Sequence, residues 1–180
     1  MASASNPQSL FNVFVYGSLL ADDVVRALLK RVPPSSPAIL HNFHRFSIKG
    51  CVYPAILPVE NKKVNGKVLS GITVPELDIL DKFEDVEYER KTVDVSLMDS
   101  SDTLMVEAYI WADQSDPNLF GEWDFEVIGD LVSVASLLNY DPVKASSRTY
   151  MKNALKGMGT IAQAKLHEND NGVSGRTGAT

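Results

Sequence analysis

The chain has 180 residues, of which 44% are hydrophobic, and its 17 basic and 23 acidic residues give a formal net charge of −6. This length can bury the core of one domain and is short for two. The acidic balance, without any block of lysine and arginine, argues against a nucleic-acid partner, because phosphate binding needs clustered positive charge. Cys51 is the only cysteine, so neither an intrachain disulfide nor a cysteine-based metal site can form within these residues.

The two ends of the chain differ in composition from its middle. Residues 1–9 and 167–180 have almost nothing to bury, and we expect a disordered leader and a disordered tail around a single domain at 10–166. The leader lacks the basic and apolar parts of a secretory signal, and no run approaches the roughly 18 apolar residues of a membrane span. We therefore expect a cytoplasmic protein, with nuclear presence also open, and no membrane partner.

The domain is predicted to open with a strand, a tight turn and a helix. Residues 10–16 are rich in β-branched and aromatic side chains, which favours a strand. Asp22 can cap a helix that runs to about Lys30, and Pro33 prevents its continuation. Only a short turn is left between the strand and the helix.

This turn is the first candidate site. Gly17 has no Cβ, so the backbone can bend sharply there and a ligand can approach its N–H. The amides from Ser18 onward can point into the gap between strand and helix, where they would suit a small anion such as a carboxylate. The alternative is an ordinary strand-to-helix turn in which the glycine serves only the geometry.

The following segments are predicted to be strands with irregular parts. Residues 38–48 are strand-like, and residues 51–58 are strand-like but contain two prolines. Proline confines such a segment to an edge or to an irregular wall, and walls of this kind often line pockets. The pair Asn65-Gly66 is a hairpin signal, so residues 67–74 are predicted to pair back onto the preceding segment.

A short helix that begins at Pro75 carries the second candidate. Its apolar stripe contains Leu77, Leu80 and Phe83, and Glu84 falls within the same stripe. An ionised group that faces a core without partners is costly, so Glu84 either borders a polar cavity or reaches bonding groups nearby. The alternative is that the helix frays there and the stripe already faces water. The other acids of this region are assigned to the solvated surface: Asp81, Asp85 and Glu87.

The rest of the chain predicts a hairpin and two helices. Residues 91–98 and 103–111 each alternate apolar and polar side chains, which is typical of an antiparallel pair. In the second strand, Tyr109 falls on the same face as Glu107, opposite the apolar face. Apolar residues at helical spacing predict two further helices, at about 124–140 and 146–166.

No metal or cofactor site is predicted. His41 and His44 form an HxxH, but residues three apart on a strand point to opposite faces, and a third ligand is lacking. Ser18 lies in YGSLL rather than in the G-x-S-x-G elbow that exposes a nucleophilic serine. Neither a Walker lysine nor G-x-G-x-x-G occurs, so nucleotide binding has no support.

Two motifs, in this order, resemble a known family. VFVYGSLL begins at Val13, and LDKFEDVEYER runs from Leu80 to Arg90. Together they resemble the γ-glutamylcyclotransferase-like family, in particular its plant AIG2-like (avirulence-induced) branch. The resemblance covers residues 11–125, includes RFSIKGCVYPAILP, and weakens after Leu131.

The resemblance implies a fold and a reaction. The implied fold is α+β, with a small, strongly twisted or barrel-like mixed sheet flanked by helices, whereas the sequence pattern alone supports only α+β. In the implied acyltransferase or amidine-lyase type of reaction, the α-amine of a γ-glutamyl group attacks its own γ-carbonyl, closes 5-oxoproline and expels an amine or amino acid. The resemblance implies no cofactor and no covalent intermediate. The partner would be a small γ-glutamyl substrate, and the sequence indicates neither which one nor the oligomeric state.

The resemblance also implies roles for particular residues. Glu84 matches the family's catalytic acid and base, with a pKa raised by desolvation. The turn matches the family's substrate loop, which here comprises Val15, Tyr16, Gly17, Ser18, Leu19 and Leu20. Tyr53 and Tyr88 are candidates for the pocket wall, with a place in the core as the alternative, and Arg90 is expected to pair with nearby acids. The competing class is a non-enzymatic member that binds a small ligand or acts in defence through a partner surface.

Overall fold

A computed structural model of the protein describes residues 9–51 and 53–124. The leader, apart from its last residue, the tail, and the two helices predicted after Asp124 lie outside these residues. Two helices are present, α1 (Asp22–Leu29) and α2 (Val74–Glu84), with one-turn 3₁₀ helices at Ser18–Leu20 and Asp85–Glu87. The strands are β1 (Leu10–Val15), β2 (Ser35–Ile48), β3 (Ala55–Thr73), β4 (Tyr88–Leu97), β5 (Thr103–Trp111) and β6 (Leu119–Phe120).

Five of the six strands form a closed ring. The strand order is β3-β1-β5-β4-β2-β6, and β3 also pairs with β2, which closes the sheet between its first and fifth members. Strands β1 and β5 are parallel, with Phe14 opposite Ala108, and the other pairs are antiparallel. Closure pairs the edges that an open sheet would leave exposed. The predicted α+β fold with a barrel-like mixed sheet and flanking helices is confirmed.

The prediction of a hairpin turn at Asn65-Gly66 is wrong. β3 continues through both residues, and the chain instead turns between β2 and β3 within residues 49–54. A Cβ on Gly66 would lie 2.3 Å from the carbonyl oxygen of Val15 and 2.7 Å from the ring of Phe14. This glycine therefore lets β1 approach β3 closely. Because turns also favour glycine, the residue type alone does not distinguish a close strand contact from a turn.

Strand β5 is buried on both faces at its C-terminal end, and this end of the barrel borders the cleft described below. Alternation holds at the start of the strand, where Val106 is buried, but Tyr109, Ile110 and Trp111 are all buried at its end. The face opposite the predicted apolar face is covered there, because Tyr109 contacts Asp81 of α2. The apolar stripe of α2 is buried as predicted, at Leu77, Leu80 and Phe83.

The start of α2 is strongly anchored. The Thr73 side chain accepts a bond from the Glu76 amide, and the Glu76 carboxylate accepts one from the Thr73 amide, which together form a capping box. Arg31 binds both oxygens of Glu76, with Nε and Nη2 at 2.6 and 2.7 Å. Pro75 lies in the first turn, where its missing N–H costs nothing. Neither helix within the described residues is long and apolar enough to cross a membrane.

Candidate active site

One cleft brings the two sequence motifs together. It lies between the turn that follows β1 and the last turn of α2, and the predicted residues Tyr53, Tyr88 and Glu84 face it together with the turn. Its lining residues are Phe14, Val15, Tyr16, Gly17, Ser18, Leu19, Tyr53, Pro54, Phe83, Glu84, Tyr88 and Tyr109. Motifs that lie more than sixty residues apart in sequence thus meet at one surface.

The turn presents backbone to the cleft. Its internal bonds are donated by Leu20, to the Gly17 carbonyl at 2.9 Å, and by Ala21, to the Ser18 carbonyl at 3.2 Å. The amides of residues 17–19 take no part in those bonds. Leu20 is the exception among the predicted loop residues, since it does not line the cleft and its carbonyl accepts a bond from Lys67 Nζ at 3.0 Å. A backbone with uncommitted amides suits an anionic group.

Gly17 is required by close packing rather than by a left-handed backbone. Its φ is −131°, which lies outside the left-handed region. A Cβ at this position would lie 2.7 Å from Cδ and 2.9 Å from Cγ of Pro54. The hydroxyl of Tyr88 donates to the Pro54 carbonyl at 2.7 Å and so holds this wall in place. The proline-containing segment therefore forms a wall of the cleft, as its sequence predicted.

Glu84 is the last residue of α2 and is half-buried. Burial of Leu80 and Phe83 sets the rotation of the helix, and this rotation brings Glu84 to the cleft. Among the described residues that line the cleft, Glu84 alone carries a formal charge at neutral pH. The predicted rise in the pKa of Glu84 stays a prediction.

The tyrosines around Glu84 are held in the neutral form. Burial is the main cause that raises the pKa of Tyr16 and Tyr88 well above its ordinary value, and the charge of Glu84 raises both further. Burial also raises the pKa of Tyr53 and Tyr109, with a smaller contribution from Glu84. At neutral pH these hydroxyls remain protonated and can donate hydrogen bonds.

A network behind the cleft was not predicted from the sequence. The hydroxyl of Tyr16 donates to the Tyr109 carbonyl, and the hydroxyl of Tyr109 donates to Asp81 at 2.7 Å. Arg90 forms an ion pair with Asp81 at 3.2 Å, so the prediction that Arg90 pairs with an acid is confirmed. Asp81 was assigned to the solvated surface, and its side chain is 37% exposed, but its bonds to Tyr109 and Arg90 were not predicted. Asp81 lies one turn before Glu84, and this position could have indicated a place near the cleft. Its partner Tyr109, however, lies on β5, which is distant in sequence.

The two histidines of the HxxH have separate partners. His41 Nε2 lies 3.1 Å from the hydroxyl of Ser96, and His44 Nε2 lies 2.9 Å from the Gly121 carbonyl. Within residues 9–51 and 53–124, no three His, Cys, Asp or Glu side chains are placed to share an ion.

The fold and the cleft together define a class of protein. A small closed sheet carries a cleft in which one carboxylate faces a backbone turn and is surrounded by neutral tyrosine hydroxyls. This arrangement is typical of a small-molecule site that uses a single acid–base group.

Comparison with known proteins identifies the family. A family model described as "Gamma-glutamyl cyclotransferase, AIG2-like" matches residues 13–125, which is more than half of the chain. The chain therefore belongs to the AIG2-like γ-glutamyl cyclotransferase family. The matched region contains the second half of β1, every later described element to β6, and both sides of the cleft.

Individual relatives agree with this assignment. AIG2-like protein D of Arabidopsis thaliana is 60% identical over 123 residues, which cover 68% of this chain and 81% of that protein. The solution structure of another Arabidopsis thaliana protein has a TM-score of 0.61 and 41% identity, and covers 79% of this chain and 95% of its own. The crystal structure of an AIG2-like protein from Mus musculus, at a TM-score of 0.54 and 21% identity, covers 64% and 86% and shows the shared fold.

Proposed function

We propose that the protein is a γ-glutamylcyclotransferase that converts a γ-glutamyl amine or peptide to 5-oxoproline and a free amine. The observation that carries the proposal is the placement of Glu84 and residues 17–19 on one cleft, in a chain of this family. Both parts of the chemistry, a proton carrier and a group of amide donors, then lie within reach of one small molecule.

In the proposed reaction the substrate supplies its own nucleophile. The α-amine of the γ-glutamyl group attacks the γ-carbonyl carbon, a new C–N bond closes the five-membered ring, and the original amide C–N bond breaks. Glu84 accepts the proton from the attacking nitrogen and returns it to the leaving nitrogen. Because the attack is intramolecular, the protein's main tasks are to fold the substrate and to move one proton.

The turn and the tyrosines are proposed to bind rather than react. The amides of residues 17–19 would hold the α-carboxylate, and an amide close to the reacting carbon would stabilise the oxyanion that develops there. The hydroxyls of Tyr16 and Tyr88 bind the protein's own carbonyls, at Tyr109 and Pro54, and so shape the cleft. With Glu84 the only charged residue of the described lining, the carboxylate is expected to be recognised by backbone dipoles instead of by a salt bridge.

The proposal is tested by Glu84→Gln, which keeps the shape of the side chain but cannot exchange a proton. We expect release of 5-oxoproline from a panel of γ-glutamyl amines, amino acids and glutathione to fall by ~10²–10⁴-fold, the range typical of general acid–base catalysis. The matched control is Glu89→Gln, at an exposed position of β4 outside the cleft, which should retain full activity. Unchanged melting temperatures would show that both variants remain folded.

Two results would contradict the proposal. Activity of Glu84→Gln within a few-fold of the wild type would exclude Glu84 from the chemistry. Wild-type protein that releases no 5-oxoproline from any member of the panel, yet binds γ-glutamyl compounds in the cleft, would favour the non-enzymatic binding protein instead.

A further inference from the structure

The peptide unit between Tyr16 and Gly17 joins β1 to the turn, and its orientation is set by a distant arginine. Nη1 of Arg45, on β2, donates to the Tyr16 carbonyl at 2.9 Å and to the Asn65 carbonyl at 3.3 Å. The described residues contain no cis peptide bond. In a planar trans unit the C=O and the N–H point in opposite directions. The bond that holds the Tyr16 carbonyl therefore also sets the direction of the Gly17 N–H.

Arg45 contacts the turn at the Tyr16 carbonyl without belonging to the candidate active site. It does not line the cleft that contains Glu84. It lines a second, more polar cleft together with His41, Asn42, His44, Asn61, Lys62, Lys63, Asn65 and Glu122. A carbonyl drawn towards Arg45 therefore leaves the Gly17 N–H directed away from Arg45, on the side where Gly17 borders the first cleft.

The arginine is itself held in one position. Its guanidinium lies over the ring of Trp123, with Cζ 4.9 Å from the ring centroid, and the Trp123 amide donates to the Arg45 carbonyl at 3.1 Å. Trp123 is only 2% exposed, so the ring is a fixed platform. Burial lowers the pKa of Arg45 from its ordinary value, and the charges of Glu122 and Asp124 partly oppose this shift.

We propose that Arg45, seated on Trp123, is a positioning residue that aims the Gly17 N–H into the cleft opposite Glu84. The direction of the N–H is a property of the folded chain. Its use in binding the α-carboxylate rests on the proposed function.

The proposal predicts a defect in binding and in the order of the turn, with the proton transfer at Glu84 left in place. Without the bond from Nη1, the Tyr16–Gly17 peptide can rotate and its N–H has no single direction. A hydrogen bond from a charged donor to a carbonyl is typically worth about a tenfold change in an equilibrium constant or more. We therefore expect KM to rise ~10-fold or more and kcat to change less.

The experiment compares Arg45→Met, which keeps an apolar stem on Trp123, with Arg45→Lys, which keeps a charged donor. The matched control is Arg26→Met, which removes an exposed arginine of α1 that pairs with Asp23 at 2.7 Å. Backbone ¹⁵N relaxation of Gly17 is measured first, because it needs no turnover. Arg45→Met should lower the order parameter of Gly17 from a rigid value towards that of a flexible loop, below about 0.6, while Arg45→Lys should restore part of the order.

Two further measurements connect the turn to function. Titration with the product 5-oxoproline, which carries the α-carboxylate, should give ~10-fold weaker binding for Arg45→Met and unchanged binding for Arg26→Met. The steady-state constants should show the effect mainly in KM. If Arg45→Met does not fold, Arg45→Lys can be compared with the wild type instead. Because the lysine donor is placed differently, the order parameter of Gly17 should still be lower than in the wild type.

Failure of this inference can be told apart from failure of the proposed function. A Gly17 amide as ordered in folded Arg45→Met as in the wild type would overturn the positioning role, whatever the activity. If neither variant folds, Arg45 is required for the fold as a whole and the specific role is likewise overturned. Loss of order at Gly17 in a protein that never releases 5-oxoproline would support the positioning role and contradict the proposed function.

Discussion

Glu76 connects the start of α2 to the rest of the barrel, and its charge should stabilise the fold in a pH-dependent way. The carboxylate binds Arg31 through both oxygens, at 2.6 and 2.7 Å, and accepts bonds from the amide and hydroxyl of Thr73. Its side chain is 13% exposed. The bond to Arg31 is the main cause that lowers the pKa of Glu76 to about 2 from an ordinary value of 4.5. Glu76→Gln keeps one oxygen that can accept the capping bonds, but it removes the charge and replaces the other acceptor of Arg31 with an amide NH2.

The size of the effect follows from the shift in pKa. At ~1.4 kcal/mol for each pKa unit, the shift from 4.5 to about 2 corresponds to at most ~3.5 kcal/mol of stability at neutral pH. Arg31 is 40% exposed, so solvent screens the pair. We expect Glu76→Gln to lower the free energy of unfolding by ~1–2 kcal/mol at pH 7.

The pH dependence has a definite direction. Because the pKa of Glu76 is lower in the folded than in the unfolded state, the contribution is fully present above about pH 4.5 and is lost as the pH falls through about 2. By linkage, roughly three quarters of it remains at pH 4 and less than half at pH 3. Urea unfolding of the wild type and Glu76→Gln between pH 7 and pH 3 measures this difference.

The control for Glu76 is Glu60→Gln, at an exposed position of β3. It should have little effect on stability at any pH in this range. The reasoning would be refuted if the difference in the free energy of unfolding between wild type and Glu76→Gln stayed constant from pH 7 to pH 3. Such a result would show that the charge on Glu76 is not what stabilises the helix.

Two glycine substitutions test the close contacts around β1. Gly66→Ala should destabilise by ~1–3 kcal/mol in urea unfolding, because its Cβ would meet the Val15 carbonyl oxygen at 2.3 Å, and backbone in a paired strand cannot easily move. The sign of the change in stability is informative, because glycine to alanine at an unstrained position usually stabilises by ~0.4–1 kcal/mol. Stabilisation by Gly66→Ala would therefore show that the contact is not tight. Gly17→Val should displace Pro54 and reduce both substrate affinity and melting temperature. If both stay at the wild-type value, the turn does not depend on this contact.

Sequence alone was sufficient where the physical cause is local. The strand, glycine and helix around Gly17 follow from residue types that are neighbours in the chain, and β1 and α1 form close to the predicted positions. The phase of α2 is likewise a local property. Because Leu77, Leu80 and Phe83 must be buried, the orientation of Glu84 is decided before any partner is known.

The tertiary structure decided every feature whose cause is a contact between distant residues. Gly66 is compatible with a hairpin turn until β1 is placed against it, and Tyr109 is on a solvent face until α2 covers that end of β5. Arg45 belongs to the stretch that resembles the family, but the sequence did not indicate its role. That role depends on the Tyr16 carbonyl and on the Trp123 ring, which closure of the barrel brings to Arg45 from opposite ends of the matched region. Local propensity acts over a few residues, whereas these contacts join positions 28 to 78 residues apart, and only the pairing of the strands specifies them.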